Sequence, residues 1–101
     1  METYCIDWSA RAISDFSDCV TFLKNVSLSA AKELVHDIDL AVLSLSSFPE
    51  KNPVFIMPKS FPLVIRKLIV KKRYIVLYSI EEQTIVIYRV LDARRKFDSI
   101  L

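Results

Sequence analysis

The chain begins with an alternation of apolar and polar positions. Within residues 2–8, Tyr4, Ile6 and Trp8 occupy every second position, and polar or small side chains separate them. A period of two is typical of a strand with one buried face. We therefore expect a short strand over residues 2–8.

From Ser9 onward the apolar residues recur at three- and four-residue spacing, which predicts two helices. The first begins after Ser9, whose hydroxyl can accept from the first-turn amides, and ends near Asn25. The second begins after Ser27 or Ser29, and the short connection favours a helical hairpin. The predicted core positions are Ile13, Phe16, Val20 and Leu23, then Ala31, Leu34, Val35, Ile38, Ala41, Val42 and Leu45.

The second half of the chain has a different texture. Its four prolines all lie between residues 48 and 63, which predicts an extended connection, because each proline removes a donor and disfavours helix before it. Residues 64–71, 73–80 and 84–91 are rich in Val, Ile, Leu and Tyr and predict three strands, of which the last two are apolar on both faces. Because the chain contains no glycine, we expect turns longer than two residues between them.

This order predicts an α+β fold, β-α-α-β-β-β, with the helical hairpin packed on one face of a small, mainly antiparallel sheet. With 101 residues, of which 52% are apolar, the chain is expected to form a single domain over residues 1–101. No run approaches the roughly 20 apolar residues of a membrane span, and no signal-peptide pattern is present. We therefore expect a cytoplasmic protein that does not bind membranes.

Charge is divided unevenly along the chain. Residues 1–50 carry three basic and eight acidic side chains, whereas residues 51–101 carry eleven basic and four acidic ones. The net charges of −5 and +7 sum to the formal +2 of the whole chain. A basic half of this kind favours contact with phosphates or with an acidic protein, although solvated strand faces would give the same count.

The sequence gives little reason to expect a metal or cofactor. Cys5 and Cys19 lie fourteen residues apart, and His36 is the single histidine, whereas a structural zinc site needs about four such ligands. Cys19 falls on the apolar stripe of its helix, where a free cysteine acts as a small hydrophobic residue. We expect Cys19 in the core and His36 on a polar face.

Three segments after the helices resemble the RelE/ParE superfamily of toxins from bacterial type II toxin–antitoxin, or plasmid stabilisation, modules. They read RKLIV at 66–70, RYIVLY at 73–78 and IVIYRVLDARR at 85–95, and the earlier residues 8–10 and 45–49 fit the same layout. The resemblance implies a growth-inhibiting protein that an adjacent antitoxin neutralises. Members of the superfamily either cleave mRNA on the ribosome or poison DNA gyrase.

Cleavage of RNA through its 2′-hydroxyl requires a base, an acid and cations that stabilise the phosphorane. By position, the resemblance implies four candidates for such catalysis: Arg66, Arg73, Asp92 and Arg95. It implies contacts to nucleic acid or another target by Lys67, Lys71, Lys72, Arg89, Arg94 and Lys96. Together these side chains are expected to line one shared positive face.

The sequence departs from the ribonuclease members at three places. Ile75 replaces the arginine that follows the strand tyrosine, Asp92 replaces a common histidine, and Leu101 stands near the position of a C-terminal tyrosine. These departures favour ParE-like action on DNA gyrase or an undefined target. A RelE-like ribosome-dependent mRNA endoribonuclease and a non-toxic basic RNA- or protein-binding module remain as alternatives, the latter with Tyr74, Tyr78 and Tyr88 as possible stacking platforms.

The charge division also predicts the chemistry of the antitoxin. A partner that covers the basic second half should carry an acidic, partly disordered segment that folds on binding. Such a segment could add a strand or lay a helix in the groove between helices and sheet.

Overall fold

A computed structural model of the chain describes residues 3–57 and 60–94. Two helices and four strands follow one another in the predicted β-α-α-β-β-β order. The elements are β1 (Cys5–Trp8), α1 (Ala10–Lys24), α2 (Leu28–Ser44), a short 3₁₀ helix (Pro49–Lys51), β2 (Arg66–Val70), β3 (Tyr74–Glu81) and β4 (Thr84–Asp92). The predicted α+β fold is confirmed, with β1 and β2 shorter than expected.

The four strands form one mixed sheet in the order β1-β4-β3-β2. β1 runs parallel to β4, and the other neighbours are antiparallel. β3 and β4 are therefore the central strands, which explains why both of their faces are apolar. A bulge interrupts their pairing, because Leu77 lies opposite Arg89 while Tyr78 lies opposite Ile87, so that Tyr88 is the additional residue.

Serine caps fix where both helices begin. The Ser9 hydroxyl accepts from the Ala12 amide at 3.0 Å, and the Ser27 hydroxyl accepts from the Ala30 amide at 3.2 Å. Ser27, rather than Ser29, is thus the cap of α2, since each hydroxyl satisfies one of the first-turn donors.

The helices cover one face of the sheet with most of the predicted stripe. Cys19 is 7% exposed and lies in this core, as expected, together with Leu23 and the buried positions of α2. Ile13 is 56% exposed and Val35 is 36% exposed, so their predicted core positions are wrong. Ala12, the residue before Ile13, is fully buried instead, because the face of α1 that meets the core is centred on Ala12, Cys19 and Leu23.

The proline-rich segment builds a second, smaller core on the opposite face of the sheet. Phe55 donates its amide to the Ile65 carbonyl at 2.7 Å, and Lys67 donates to the Pro53 carbonyl at 3.0 Å, so residues 53–55 run along the start of β2. This pairing seats the aromatic residues of the segment against β3 and β4. The cluster comprises Ile65, Leu77 and Leu91, with Phe55, Met57, Phe61, Ile75 and Tyr88 packed on it.

The two hairpin turns differ in length. β2 and β3 are joined through Lys71, Lys72 and Arg73, as the absence of glycine led us to expect. β3 and β4 are joined by only two residues, because Glu81 pairs with Thr84, so the expectation of a longer turn is wrong there. The chain accommodates the short turn by placing Glu82 at a φ of 59°, in the left-handed region.

Candidate functional site

The candidate catalytic residues of the described chain lie at two ends of the sheet. Arg73 directly precedes β3, and the first residue of β3, Tyr74, pairs with Asp92. Arg66 pairs with Tyr78, four residues further along β3. At about 3.3 Å per residue this separation is roughly 13 Å along the strand, and each arginine is bound to groups at its own end.

Asp92 is held by the arginines around it. It is 7% exposed, and its Oδ2 accepts from the Arg73 Nη2 at 3.4 Å while its Oδ1 accepts from the Arg94 amide at 3.0 Å. The Arg94 Nε lies 3.8 Å from the same Oδ1. With both oxygens engaged, the carboxylate anchors the end of β4 and is poorly placed to take a proton from a substrate.

Arg73 lies across the ring of the next residue. Its guanidinium carbon is 4.9 Å from the centroid of the Tyr74 ring, within range of a cation–π contact. Burial raises the pKa of the Tyr74 hydroxyl, and the charge of Arg73 acts against that rise. The Arg73 Nε is buried and has no hydrogen-bond partner among the described residues.

Arg66 binds the chain that leaves α2. Its Nη1 donates to the Asn52 carbonyl at 2.7 Å and to the Glu50 carbonyl at 3.2 Å. The neighbouring Tyr78 hydroxyl donates to the Pro49 carbonyl at 2.5 Å and accepts from the Asn52 side-chain amide at 3.1 Å. Arg66 and Tyr78 together fix the 3₁₀ helix to the sheet, and burial of Tyr78 raises its pKa.

Arg89 lies in the interior against α1. Its Nε donates to the Asp15 Oδ2 at 2.6 Å and its Nη2 donates to the Asp15 Oδ1 at 3.1 Å, and only 7% of the residue is exposed. Asp15 Oδ2 also accepts from the Val90 amide at 3.0 Å, on the part of β4 that β1 does not reach. Asp15 thus satisfies a β4 amide that β1 does not pair with, and its bidentate bond to Arg89 favours a structural role for that arginine.

The other basic residues predicted to bind a target or take part in catalysis lie on the surface, lie on β2, or fall outside the described residues. Lys71 and Lys72 are exposed on the β2–β3 turn, Arg94 is exposed after β4, and Lys67 is half-buried on β2. Arg95 and Lys96 lie outside the described residues. The expected single positive face is therefore wrong for the described chain, because β-sheet register separates Arg66 from the turn and Asp15 draws Arg89 inward.

The tyrosines of the central strands are not open platforms. Tyr74 is 5% exposed and Tyr78 is fully buried, so neither presents a ring face to a nucleobase. Tyr88 packs on Phe61 with 5.2 Å between ring centroids. The prediction that Tyr74 and Tyr78 could stack on bases is therefore wrong, because both rings are buried in the core beneath the helices.

A cleft opens beside the β2–β3 turn, between α2 and the sheet, where the sequence predicted a groove but not the residues that line it. It encloses about 460 Å³ between α2 and the turn, with Leu34 and Val70 among its apolar lining and Lys71 and Arg73 on one side. Glu33, His36 and Asp37 line the other side. The signal for this wall in the sequence is spacing, because residues 33, 36 and 37 share one face of α2.

The sequence of the chain matches the model of one protein family, described as "ParE toxin of type II toxin-antitoxin system, parDE", over residues 6–97. The chain belongs to the ParE toxin family. The match includes both helices and all of β2, β3 and β4, so it covers the elements that carry the candidate residues. This ParE-family chain is accordingly the toxin component of a type II toxin–antitoxin system, as the resemblance implied.

Solved structures show the same fold at low sequence identity. The chromosomal ParDE toxin–antitoxin system from P. aeruginosa gives a TM-score of 0.67 at 19% identity, covering 89% of this chain and 96% of the other. The toxin–antitoxin complex RelBE2 from Mycobacterium tuberculosis gives 0.62 at 20% identity, covering 94% and 97%. None of the curated proteins matches the sequence significantly.

Two features are absent from the described part of this ParE-family toxin. No helix among those residues is long and apolar enough to cross a membrane. Residues 3–57 and 60–94 likewise contain no group of three or more His, Cys, Asp or Glu side chains arranged to hold a metal ion.

Proposed function

We propose that this toxin arrests bacterial growth by ParE-like action in the cytoplasm, on DNA gyrase or another target, without cutting mRNA. The observation that carries the proposal is the dispersal of the candidate catalytic groups. Arg66 is bound to main-chain carbonyls at one end of β2, while Arg73 and Asp92 bind each other at the opposite end. The family membership supports the same choice.

The chemistry of RNA cleavage explains why this dispersal supports the proposal. A base, an acid and phosphate-binding cations must lie within hydrogen-bond reach of one scissile phosphate. Here Arg66 lies roughly 13 Å along β3 from the Arg73–Asp92 pair, and Asp92 is already held by two arginines. The second core also covers the face of the sheet opposite the helices with Phe55 and Phe61.

The first test is induced expression of the full chain in a bacterium that lacks its antitoxin. Growth should stop, and cleaved gyrase–DNA complexes should accumulate in the arrested cells. Purified toxin added to programmed ribosomes should leave the mRNA intact. Position-specific mRNA cuts that Arg95→Ala abolishes would replace the proposal with RelE-like cleavage, and unimpaired growth would favour the non-toxic binding module.

The neutralising partner belongs to the same proposal. We expect the product of the adjacent gene to carry an acidic, partly disordered segment that folds on the toxin, because the second half of the chain carries a net charge of +7. Co-expression of that gene should restore growth. A co-expressed unrelated acidic protein is the control and should leave the arrest in place.

A further inference from the structure

The cleft between α2 and the β2–β3 turn has two walls of opposite charge. Lys71 and Arg73 provide the positive wall, and Glu33 and Asp37 provide the negative wall. Within the described residues, no ion pair shorter than 4.0 Å joins one wall to the other. The charges thus face a space of about 460 Å³ without neutralising each other across it.

The positive wall contains a donor that lacks an acceptor. The Arg73 Nε is buried and unpartnered, while one terminal nitrogen of the same guanidinium makes a long bond of 3.4 Å to Asp92. The Nε itself is enclosed, but 26% of the Arg73 side chain is exposed, so a carboxylate in the cleft can contact the exposed part of the guanidinium. The long bond to Asp92 leaves donor capacity on this guanidinium for a second acceptor.

The negative wall restricts which anion can enter. A nucleic-acid strand that brought phosphates to Arg73 would also bring them toward the carboxylates of Glu33 and Asp37, which would repel it. A peptide can instead present an acidic side chain to Arg73 and a basic one to the carboxylates. The apolar lining, which includes Leu23, Leu34 and Val70, suits an aliphatic residue between the two.

The β2–β3 turn carries both cations of the positive wall. The Arg73 amide donates to the Val70 carbonyl at 3.1 Å and closes the turn, with Lys71 and Lys72 at φ values of 54° and 56°. These left-handed values are the geometry of a tight hairpin turn, as at Glu82. Lys71 and Arg73 are thereby fixed two residues apart on the same turn, and both line the cleft.

We propose that this cleft holds a short segment of the antitoxin, with an acidic side chain bound to Arg73 and Lys71 and a basic side chain bound to Asp37 and Glu33. The inference rests on the proposed function, because it assumes a neutralising partner. The net charge of the second half of the chain predicts only that the partner is acidic. The cleft requires in addition that the bound segment carry both an acidic and a basic side chain.

Calorimetric titration of the full toxin with the product of the adjacent gene tests the proposal. Arg73→Lys keeps the positive charge but removes the planar, forked donor group, and it should weaken binding about 10-fold or more, as expected for loss of a charge-assisted hydrogen bond. Asp37→Arg should weaken binding to a similar extent, and a Lys→Glu or Arg→Glu variant of the antitoxin should restore it. Lys51→Gln removes an exposed charge outside the cleft and should bind within twofold of wild type.

A spectroscopic readout separates a direct contact from a folding defect. The ¹⁵N–¹H signal of the Arg73 ε group should shift downfield when the antitoxin binds, and the thermal unfolding of each free variant should be recorded beside it. Wild-type affinity of Arg73→Lys and Asp37→Arg, with neutralisation intact, would overturn the cleft proposal and leave the toxin function standing. Absence of antitoxin binding to any form would remove the cleft proposal together with the proposed neutralising partner, and Arg73-dependent binding of a 12-nucleotide RNA would make the cleft a nucleic-acid site instead.

Discussion

At the scale of single residues, the acceptors within reach of each arginine determine whether its side chain is buried or available to a partner. Arg89 lies on a central strand and donates to the Asp15 carboxylate, whereas Arg66 donates to two main-chain carbonyls. The sequence predicts that these arginines lie on strands, but it contains no sign that a helix residue 74 positions earlier supplies the carboxylate. Partners this distant in sequence depend on tertiary packing, which local patterns do not encode.

Replacement of Asp15 by alanine should destabilise the toxin strongly. It removes the bidentate carboxylate from the buried Arg89 guanidinium and the acceptor of the Val90 amide, and loss of one partner of a buried pair costs about 3–5 kcal/mol. Urea unfolding followed by circular dichroism measures the change. Arg11→Ala is the matched control, because Arg11 is an exposed partner 3.8 Å from Asp15 and should cost less than about 1 kcal/mol. Equal effects of the two variants would contradict a dominant Arg89 pair.

The two buried tyrosines predict a loss of stability in alkali. Burial raises the pKa of Tyr74 and Tyr78 in the folded chain above the ordinary value of 10.0. The unfolded chain therefore releases these protons first, so the free energy of unfolding is unaffected below about pH 9 and falls as the pH rises above about 10. Urea titrations between pH 7 and pH 11 should show this decline.

The Tyr78→Phe variant separates the hydroxyl's two contributions. At pH 7 it should lower the free energy of unfolding by about 1–2 kcal/mol, because the Pro49 carbonyl and the Asn52 amide lose their partner. Above pH 10 its stability should fall less steeply than that of wild type. An identical alkaline slope in the two proteins would mean that Tyr78 does not titrate differently on folding.

At the scale of elements, periodicity predicts where helices begin and which face they bury. It fails where tertiary packing determines which of two adjacent apolar residues is buried. The caps at Ser9 and Ser27 follow from side-chain chemistry, and the buried stripe of α2 follows from its spacing. The three- and four-residue spacing places Ile13 in the predicted core, yet contacts with the sheet bury Ala12 and leave Ile13 exposed. The second core was likewise beyond prediction, since a proline-rich run does not reveal which face of the sheet it will cover.

The β2–β3 turn offers a direct test of backbone strain. Lys72 has a φ of 56°, which glycine adopts without the steric penalty of a side chain, so Lys72→Gly should raise the free energy of unfolding by about 0.5–1 kcal/mol. Lys72→Ala removes the same charge but keeps a Cβ, and it should give no gain. Thermal unfolding of both variants beside wild type measures the difference. A gain with alanine as well would trace the effect to charge repulsion between Lys71 and Lys72.

At the scale of the whole molecule, opposite net charge separates the helical half from the strand-rich half. β1, α1 and α2 belong to residues 1–50, whose net charge is −5, and the other three strands belong to residues 51–101, whose net charge is +7. Charge polarisation of this size steers an oppositely charged partner over distances that contacts do not reach. The sequence alone predicted this asymmetry, whereas the paired cations of the folded chain could not be deduced from a count.

The whole-molecule asymmetry predicts how antitoxin association responds to salt. Raising the salt concentration from 50 to 500 mM should slow association by roughly tenfold and change dissociation far less, because the Debye length shrinks from more than 10 Å to about 4 Å. Stopped-flow fluorescence of the toxin's single tryptophan, Trp8, can follow both rates. Lys72→Glu, on the exposed turn, should reduce the salt dependence, whereas Lys24→Glu, in the acidic half, should reduce it less. Association rates that ignore salt, or contacts confined to the first 50 residues, would mean that the basic half does not guide the partner.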